Sequence, residues 1–226
     1  MSIRVQPSRV AAAAGHRGVL VWQWTAPVLA LSSAPVGGGF GPVDWALNIG
    51  VGSDYGRTDL TEHAAEITAD LGLSGTGAAM FTAVDLDRLV SADGDGVSVD
   101  ATVGISHPTW AVDPTATETA QGSPGTINLV VQVPVALDPG AAVNAVITAT
   151  EAKAQALADR GVPGTGTATD AVVVVWPDGG SAERFAGPRS QWGSRIARAV
   201  HQAIWAGTRE WSMSPQTTGS TPGVVS

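Results

Sequence analysis

Asp170-Ala171-Val172-Val173-Val174-Val175-Trp176 is the stretch on which the fold turns. The unbroken apolar run after the carboxylate is rich in β-branched side chains and reads as a strand with both faces covered. A strand with one wet face would alternate instead. Such a strand needs packed layers on each side, and the flanking sequence supplies them. Upstream, Asp138-Pro139 marks a helix start: a capping aspartate with proline at the first helical position. That helix should run to about Arg160 and stop at Gly161. Val143, Val146, Ile147, Ala154 and Leu157 are expected on its apolar face, with Asn144, Thr148 and Gln155 opposite and Glu151 near the boundary. Downstream, Ser190 opens a last helix whose buried stripe is Trp192, Ile196, Ala199, Val200 and Ala203.

Farther out, residues 126–135 form a clean central strand, and 18–24, 27–31, 45–51, 78–84 and 97–105 read as further strands. Asp93-Gly-Asp-Gly is a turn with too few ligands for a calcium loop. Residues 59–71 read as a helix capped by Asp59, with Glu62 as capping-box partner and Gly72 as the stop. Strands interspersed with three helices give an α/β (or α+β) fold: one domain over 1–211, with mixed sheet layers covered by about three helices. The Pro-, Thr- and Gly-rich residues 107–125 read as a loop, and 212–226 as a disordered Ser/Thr/Pro/Gly tail.

Composition narrows the chemistry. The 226 residues are 44% hydrophobic and 14% charged, which suits a packed core. The absence of cysteine excludes disulfides, thiolate zinc, iron–sulfur clusters and a cysteine nucleophile. A net charge of −8, with Lys153 the only lysine, argues against nucleic acid. No apolar run approaches the roughly 20 residues of a membrane span, and no signal peptide is legible. The expectation is a cytoplasmic protein without a membrane partner. His16, His63, His107 and His201 are scattered singly, so no metal site is expected. His201 points away from the last helix's buried stripe, whereas His107 sits in a loop beside Pro108 and Trp110. The glycines of Gly164-Thr-Gly-Thr precede a strand, the reverse of a dinucleotide fingerprint.

Three stretches stand out on chemistry. Thr126 and Asn128, two apart at a strand start, share one face. Glu151 and Lys153 are an acid and the only lysine on an alanine-rich helix, about 160° apart around it. Gly166-Thr167-Ala168-Thr169-Asp170 sets two hydroxyls and a carboxylate where a loop enters the buried strand. Each also has a plain structural reading: a turn network, a solvated helix edge and a capped strand entry.

In this order, these stretches resemble the adenosylcobinamide amidohydrolase family, the CbiZ type. The resemblance rests on Leu31-Ser-Ser-Ala-Pro with Gly37-Gly-Gly, Asn48, Ala101-Thr-Val-Gly-Ile-Ser-His-Pro108 and Gly125-Thr-Ile-Asn-Leu-Val-Val131. It continues through Glu151-Ala-Lys-Ala-Gln-Ala-Leu157, Gly164-Thr-Gly-Thr-Ala-Thr-Asp-Ala-Val-Val-Val174, residues 187–190 and residues 193–199. It covers roughly residues 28–207 and departs at Ser106-His107-Pro108-Thr109-Trp110 and in the first 25 residues.

The resemblance implies hydrolysis of the amide joining the aminopropanol arm to the corrin ring, giving adenosylcobyric acid for cobalamin salvage. The partner implied is a small-molecule corrinoid whose cobalt belongs to the substrate. No cofactor is expected, and self-association stays open. The alternatives are a non-catalytic corrinoid carrier or sensor, or an amidase for another bulky amide. Amide hydrolysis needs a base or nucleophile, an oxyanion donor and a proton donor. Asp170 or Glu151 is the expected base, with Thr167 attacking or orienting water. Asn128 and the backbone of residues 164–167 are expected at the oxyanion, and Lys153 beside a carboxylate or the leaving group. Ser32, Gly38, Gly39, Asn48, Thr102, His107, Trp110, Thr126, Gly166 and Thr169 are the expected substrate-binding residues. The eight tryptophans offer apolar walls for a corrin plate, although most should be core.

Overall fold

The computed structural model describes residues 3–112 and 125–209. The expected tail and the middle of the 107–125 loop lie outside the described residues. The elements in chain order are β1 (Ser8–Val10), β2 (Val19–Ser32), β3 (Gly39–Gly50), α1 (Leu60–Asp70), β4 (Gly77–Thr82), β5 (Val90–Gly94) and β6 (Val97–Val103). They continue with β7 (Ile127–Gln132), α2 (Pro139–Asp159), β8 (Ala171–Pro177) and α3 (Gln191–Gly207). One mixed sheet runs β4-β3-β2-β8-β7-β6-β5, with β1 paired to β2. The β3–β4 and β7–β8 pairs are parallel. The sheet and its three helices make a single α/β domain, as the apolar run of β8 requires.

The sheet folds over on itself. Trp22 Nε1 donates to Asp100 Oδ2 at 2.8 Å, and Asn48 Nδ2 donates to Thr102 Oγ1 at 2.9 Å. Strands β2 and β6 stand three places apart in the sheet, a separation of roughly 14 Å if the sheet were flat. Their side chains meet only because the two halves face each other. The inner layer holds Leu20, Trp22, Met80, Val130, Val173 and Val175. Outside one half, α1 buries His63, Ala64 and Ile67 over β2, β3 and β4. Outside the other half, α2 and α3 cover Val99, Leu129, Val131, Val172 and Val174.

Strand β2 joins the halves. The sequence suggests two short strands here, 18–24 and 27–31, the second starting at Pro27; the structure makes one, with a register shift between Gln23 and Val28. A bulge accommodates the missing proline N–H. Its even-numbered residues Leu20, Trp22, Trp24, Val28 and Ala30 all face the inner layer. Val19 and Val21 face α1, whereas Leu29 and Leu31 pack towards α2 and α3.

Three expectations need correction. Helix α2 buries Ala141, Ala142, Ala145, Ala149, Ala152, Ala156 and Leu157, while Val143 and Ile147 are 51% and 46% exposed. Leu157 is buried as expected and Val146 packs partly against the core, but Val143 and Ile147 face outward, because the small side chains let α2 lie close to the sheet and α3. Thr148, expected on the polar side, is buried and donates to the Ala186 carbonyl at 2.8 Å. The side chains of Asp59 and Asp138 make no capping hydrogen bond; Asp59 turns to Arg57 instead. Ser190 does cap α3, accepting from Gly193 N at 3.1 Å, and the predicted α3 stripe is buried. Strand β5 was not anticipated: the Asp-Gly turn closes a β5–β6 hairpin, with Asp95 and Gly96 at φ 51° and 95°.

Candidate active site

A cleft of about 460 Å³ opens where the folded layers part. Ser33 and Pro35 follow β2 into it, Val51 and Gly52 follow β3, and Phe81, Thr82 and Ala83 come from the end of β4. Thr126 and Asn128 enter from the start of β7, Thr169 to Ala171 from the start of β8, and Tyr55, Arg57 and Leu60 from the approach to α1. The shared face predicted for Thr126 and Asn128 points into this space.

Asp170 is the hub of the loop side. One carboxylate oxygen accepts from the Lys153 ammonium and from Thr167 N at 3.1 Å. The other accepts from Ile127 N at 2.9 Å and Thr167 Oγ1 at 2.5 Å. A carboxylate has about four lone-pair sites, and all are occupied. Asp170 therefore ties α2, β7 and the 164–170 loop together and holds no lone pair for a water proton. Thr167 commits both its amide and its hydroxyl to Asp170. Gly166 makes room for this pair: a Cβ there would overlap the carboxylate and stand 2.5 Å from Lys153 Nζ. Thr126 and Thr169 share a hydroxyl–hydroxyl bond of 2.7 Å, and Thr169 also reaches the Gly125 carbonyl at 3.3 Å.

An amide relay forms the floor. Asn128 Nδ2 donates to the Phe81 carbonyl at 3.0 Å and to Asn48 Oδ1 at 2.9 Å. Asn48 Nδ2 passes on to Thr102. Asn128 Oδ1 is buried and has no partner among the described residues.

Tyr55 also lines the cleft; its Oη lies 2.7 Å from His63 Nδ1, and His63 Nε2 lies 3.0 Å from the Gly15 carbonyl. A carbonyl only accepts, so Nε2 carries the proton and Nδ1 accepts from the tyrosine. Burial, helped by Arg57, pushes the His63 pKa below its ordinary value, and burial pushes that of Tyr55 up. Arg57 is bonded to Asp59 and Glu66 and holds the Asp59 carboxyl down to about 2.

The structure thus gathers Thr126, Asn128, Thr169 and Asp170 at the cleft, with Asn48, Thr102, Lys153, Gly166 and Thr167 directly behind. Glu151 lies apart, exposed on α2. Ser32 is buried and accepts from Ala34 N at 2.9 Å; its neighbour Ser33 lines the cleft instead. Gly38 and Gly39 line a separate surface hollow, where Gly38 is packed against the Ala34 carbonyl. His107 and Trp110 are exposed on a loop joined to the Gly166 loop through Thr109 N, 2.8 Å from the Gly166 carbonyl. Tyr55, the only tyrosine, and His63 were not singled out from the sequence. No motif spacing marks them, and only the fold brings Gly15 to the far side of the histidine. Among the described residues, no three His, Asp or Glu side chains are placed to hold a metal ion.

The family model described as adenosylcobinamide amidohydrolase matches residues 5–216. The chain belongs to this family. An adenosylcobinamide amidohydrolase of Halobacterium salinarum is 33% identical over 198 residues, covering 84% of each chain. One of Methanosarcina mazei is 28% identical over 184 residues, covering 77% of this chain and 88% of its own. Family membership makes the chain a hydrolase, and the cleft between the two sheet layers is where its chemistry-bearing side chains converge.

Proposed function

We propose that the chain hydrolyses the amide between the aminopropanol arm and the corrin ring of adenosylcobinamide. Water adds its oxygen to the acyl carbon, the C–N bond breaks, and adenosylcobyric acid and the amino alcohol leave. The acid would re-enter cobalamin synthesis in the cytoplasm as salvaged precursor. Both relatives are named for this activity. The observation that carries the reading is the cleft itself, lined by the Asn128 amide, the Thr126 and Thr169 hydroxyls, Tyr55 with His63 behind it, and the apolar Pro35, Val51, Leu60 and Phe81. That volume suits the arm and the ring edge, leaving the rest of the plate outside it.

Tyr55 and His63 take the part of proton acceptor. A water bonded to Tyr55 Oη passes its proton to the phenol oxygen as the phenol passes its own to Nδ1 of neutral His63, and the same relay run backwards returns a proton to the leaving nitrogen as the C–N bond breaks. Asp170, with every lone pair engaged, fixes the loop and balances Lys153. Thr169 gives its one proton to the Gly125 carbonyl, so Thr126 donates to Thr169; turning the Thr169 proton from that carbonyl to Thr126 would release the Thr126 proton for the developing oxyanion.

The test is incubation of purified protein with adenosylcobinamide, with and without EDTA, followed by liquid chromatography and mass spectrometry. Adenosylcobyric acid with equimolar aminopropanol supports the proposal, and the EDTA arm reports any metal requirement. Bound but intact substrate would sink it in favour of a carrier.

A further inference from the structure

Asn128 is held in one orientation and left with one vacant valence. Its side chain is 2% exposed at the cleft floor. The Phe81 carbonyl can only accept, so the amide must present Nδ2 to it. The same Nδ2 reaches Asn48 Oδ1, which turns the Asn48 amino group towards Thr102. Both donors of Asn128 are therefore used inside the protein. The sequence suggests Asn128 as an oxyanion donor, but a donor with no hydrogen left cannot fill that role. What remains is Oδ1, an acceptor withdrawn from water and without a partner among the described residues. A buried acceptor in that state is costly, and native proteins retain few.

We infer that Asn128 Oδ1 accepts a hydrogen bond from the N–H of the amide to be cleaved. This rests on the hydrolase reading above and adds to it the atom that recognises an amide. A secondary amide offers one N–H, and among the described residues Oδ1 is the cleft-lining side-chain acceptor that is buried without a partner. Holding that N–H also sets the leaving nitrogen. As the acyl carbon becomes tetrahedral, the nitrogen turns pyramidal with its hydrogen on Asn128, and its new lone pair points away, towards a proton donor. Asn48 does not touch substrate; it is a positioning residue that keeps the Asn128 amide from rotating.

The experiment compares adenosylcobinamide with its ester analogue, in which the scissile N–H is replaced by oxygen. The wild type and Asn128→Leu are each assayed for kcat/KM on both. The amide-to-ester ratio should fall roughly tenfold in the variant, the worth of one neutral hydrogen bond. The ratio does not depend on the fraction of protein folded, so a partly folded variant still reports. Should Asn128→Leu give no soluble protein, Asn48→Leu should lower the same ratio about threefold, and Asn48→Asp, which keeps the acceptor for Asn128, should restore it. An unchanged ratio with amide turnover intact overturns the inference alone. A wild type that cleaves neither compound overturns the hydrolase reading and this inference with it.

Discussion

The Lys153 ammonium meets the Asp170 carboxylate where the two side chains are only 8% and 10% exposed. The only lysine of the chain thereby fastens the middle of α2 to the entrance of β8, one step behind the cleft. Removing one partner of a buried pair leaves the other charge in a poor solvent. Asp170→Asn should cost about 3–5 kcal/mol in urea unfolding. In the fraction that stays folded, turnover should remain within about tenfold of wild type, because Asp170 has no lone pair to give. A loss of about a thousandfold or more in folded protein would return the base role to Asp170.

Gly166 carries the second prediction. A methyl group there would overlap the Asp170 carboxylate, and Lys153 Nζ would stand 2.5 Å away. Neither group can retreat without losing its partners. Gly166→Ala should destabilise by about 1–3 kcal/mol in the same unfolding assay. A stability equal to wild type would mean that the 164–170 loop yields easily and is not the rigid holder described here.

How much of this was legible in the chain depends on distance along it. The apolar run of β8 and the α3 stripe are local patterns and read directly. Thr126 and Asn128 share a face by strand period alone, and that too was readable. The floor was not: Asn128 meets Asn48 across 80 positions, and Tyr55–His63 is completed by Gly15, 48 residues from the histidine. Such pairs have no periodicity, because the folding-over of the sheet creates them. Val143 and Ile147 of α2 were not legible for another reason, since apolar periodicity weights large side chains and most of this interface is built from alanine.

That alanine interface predicts an asymmetry within one helix. Ile147→Lys, on the exposed side of α2, should change stability by no more than about 0.5 kcal/mol. Ala149→Leu, at a position with no exposure, should cost about 1–3 kcal/mol through overpacking. Thermal unfolding of the two variants checks it. Equal penalties would mean that the sequence pattern, with Val143 and Ile147 inward, was right after all.

Tyr55→Phe separates chemistry from packing. The ring remains to stack on Phe81, whose centroid lies 5.9 Å away, so substrate binding should be little changed. His63 Nδ1 loses its donor, which should cost about 1–3 kcal/mol of stability. Turnover of adenosylcobinamide should fall about 10²–10⁴-fold, the usual worth of a positioned acid–base group. If kcat in the folded variant stays near wild type, Tyr55 only props the histidine.

The same histidine gives the protein a pH dependence of definite sign. Burial lowers the His63 pKa below its ordinary 6.5, so the unfolded chain takes up this proton first as pH falls. Stability contributed by neutral His63 is thus fully present above pH 6.5, declines below it and levels off below the folded-state value. The slope cannot exceed about 1.4 kcal/mol per pH unit for one proton. Asp59 and Glu66, both held low by Arg57, lose their contributions only at more acidic pH. Asp100, raised by its burial, acts in the opposite direction. Urea unfolding of wild type and His63→Gln from pH 8 to 5 isolates the histidine. The difference between them should be flat down to about 6.5 and then shrink as pH falls. The acidic limb of kcat/KM should also lie below 6.5, because a protonated Nδ1 cannot accept from Tyr55. A difference that grows as the pH drops would show that folding favours the charged imidazole, and the relay assigned to Tyr55 and His63 would fall with it.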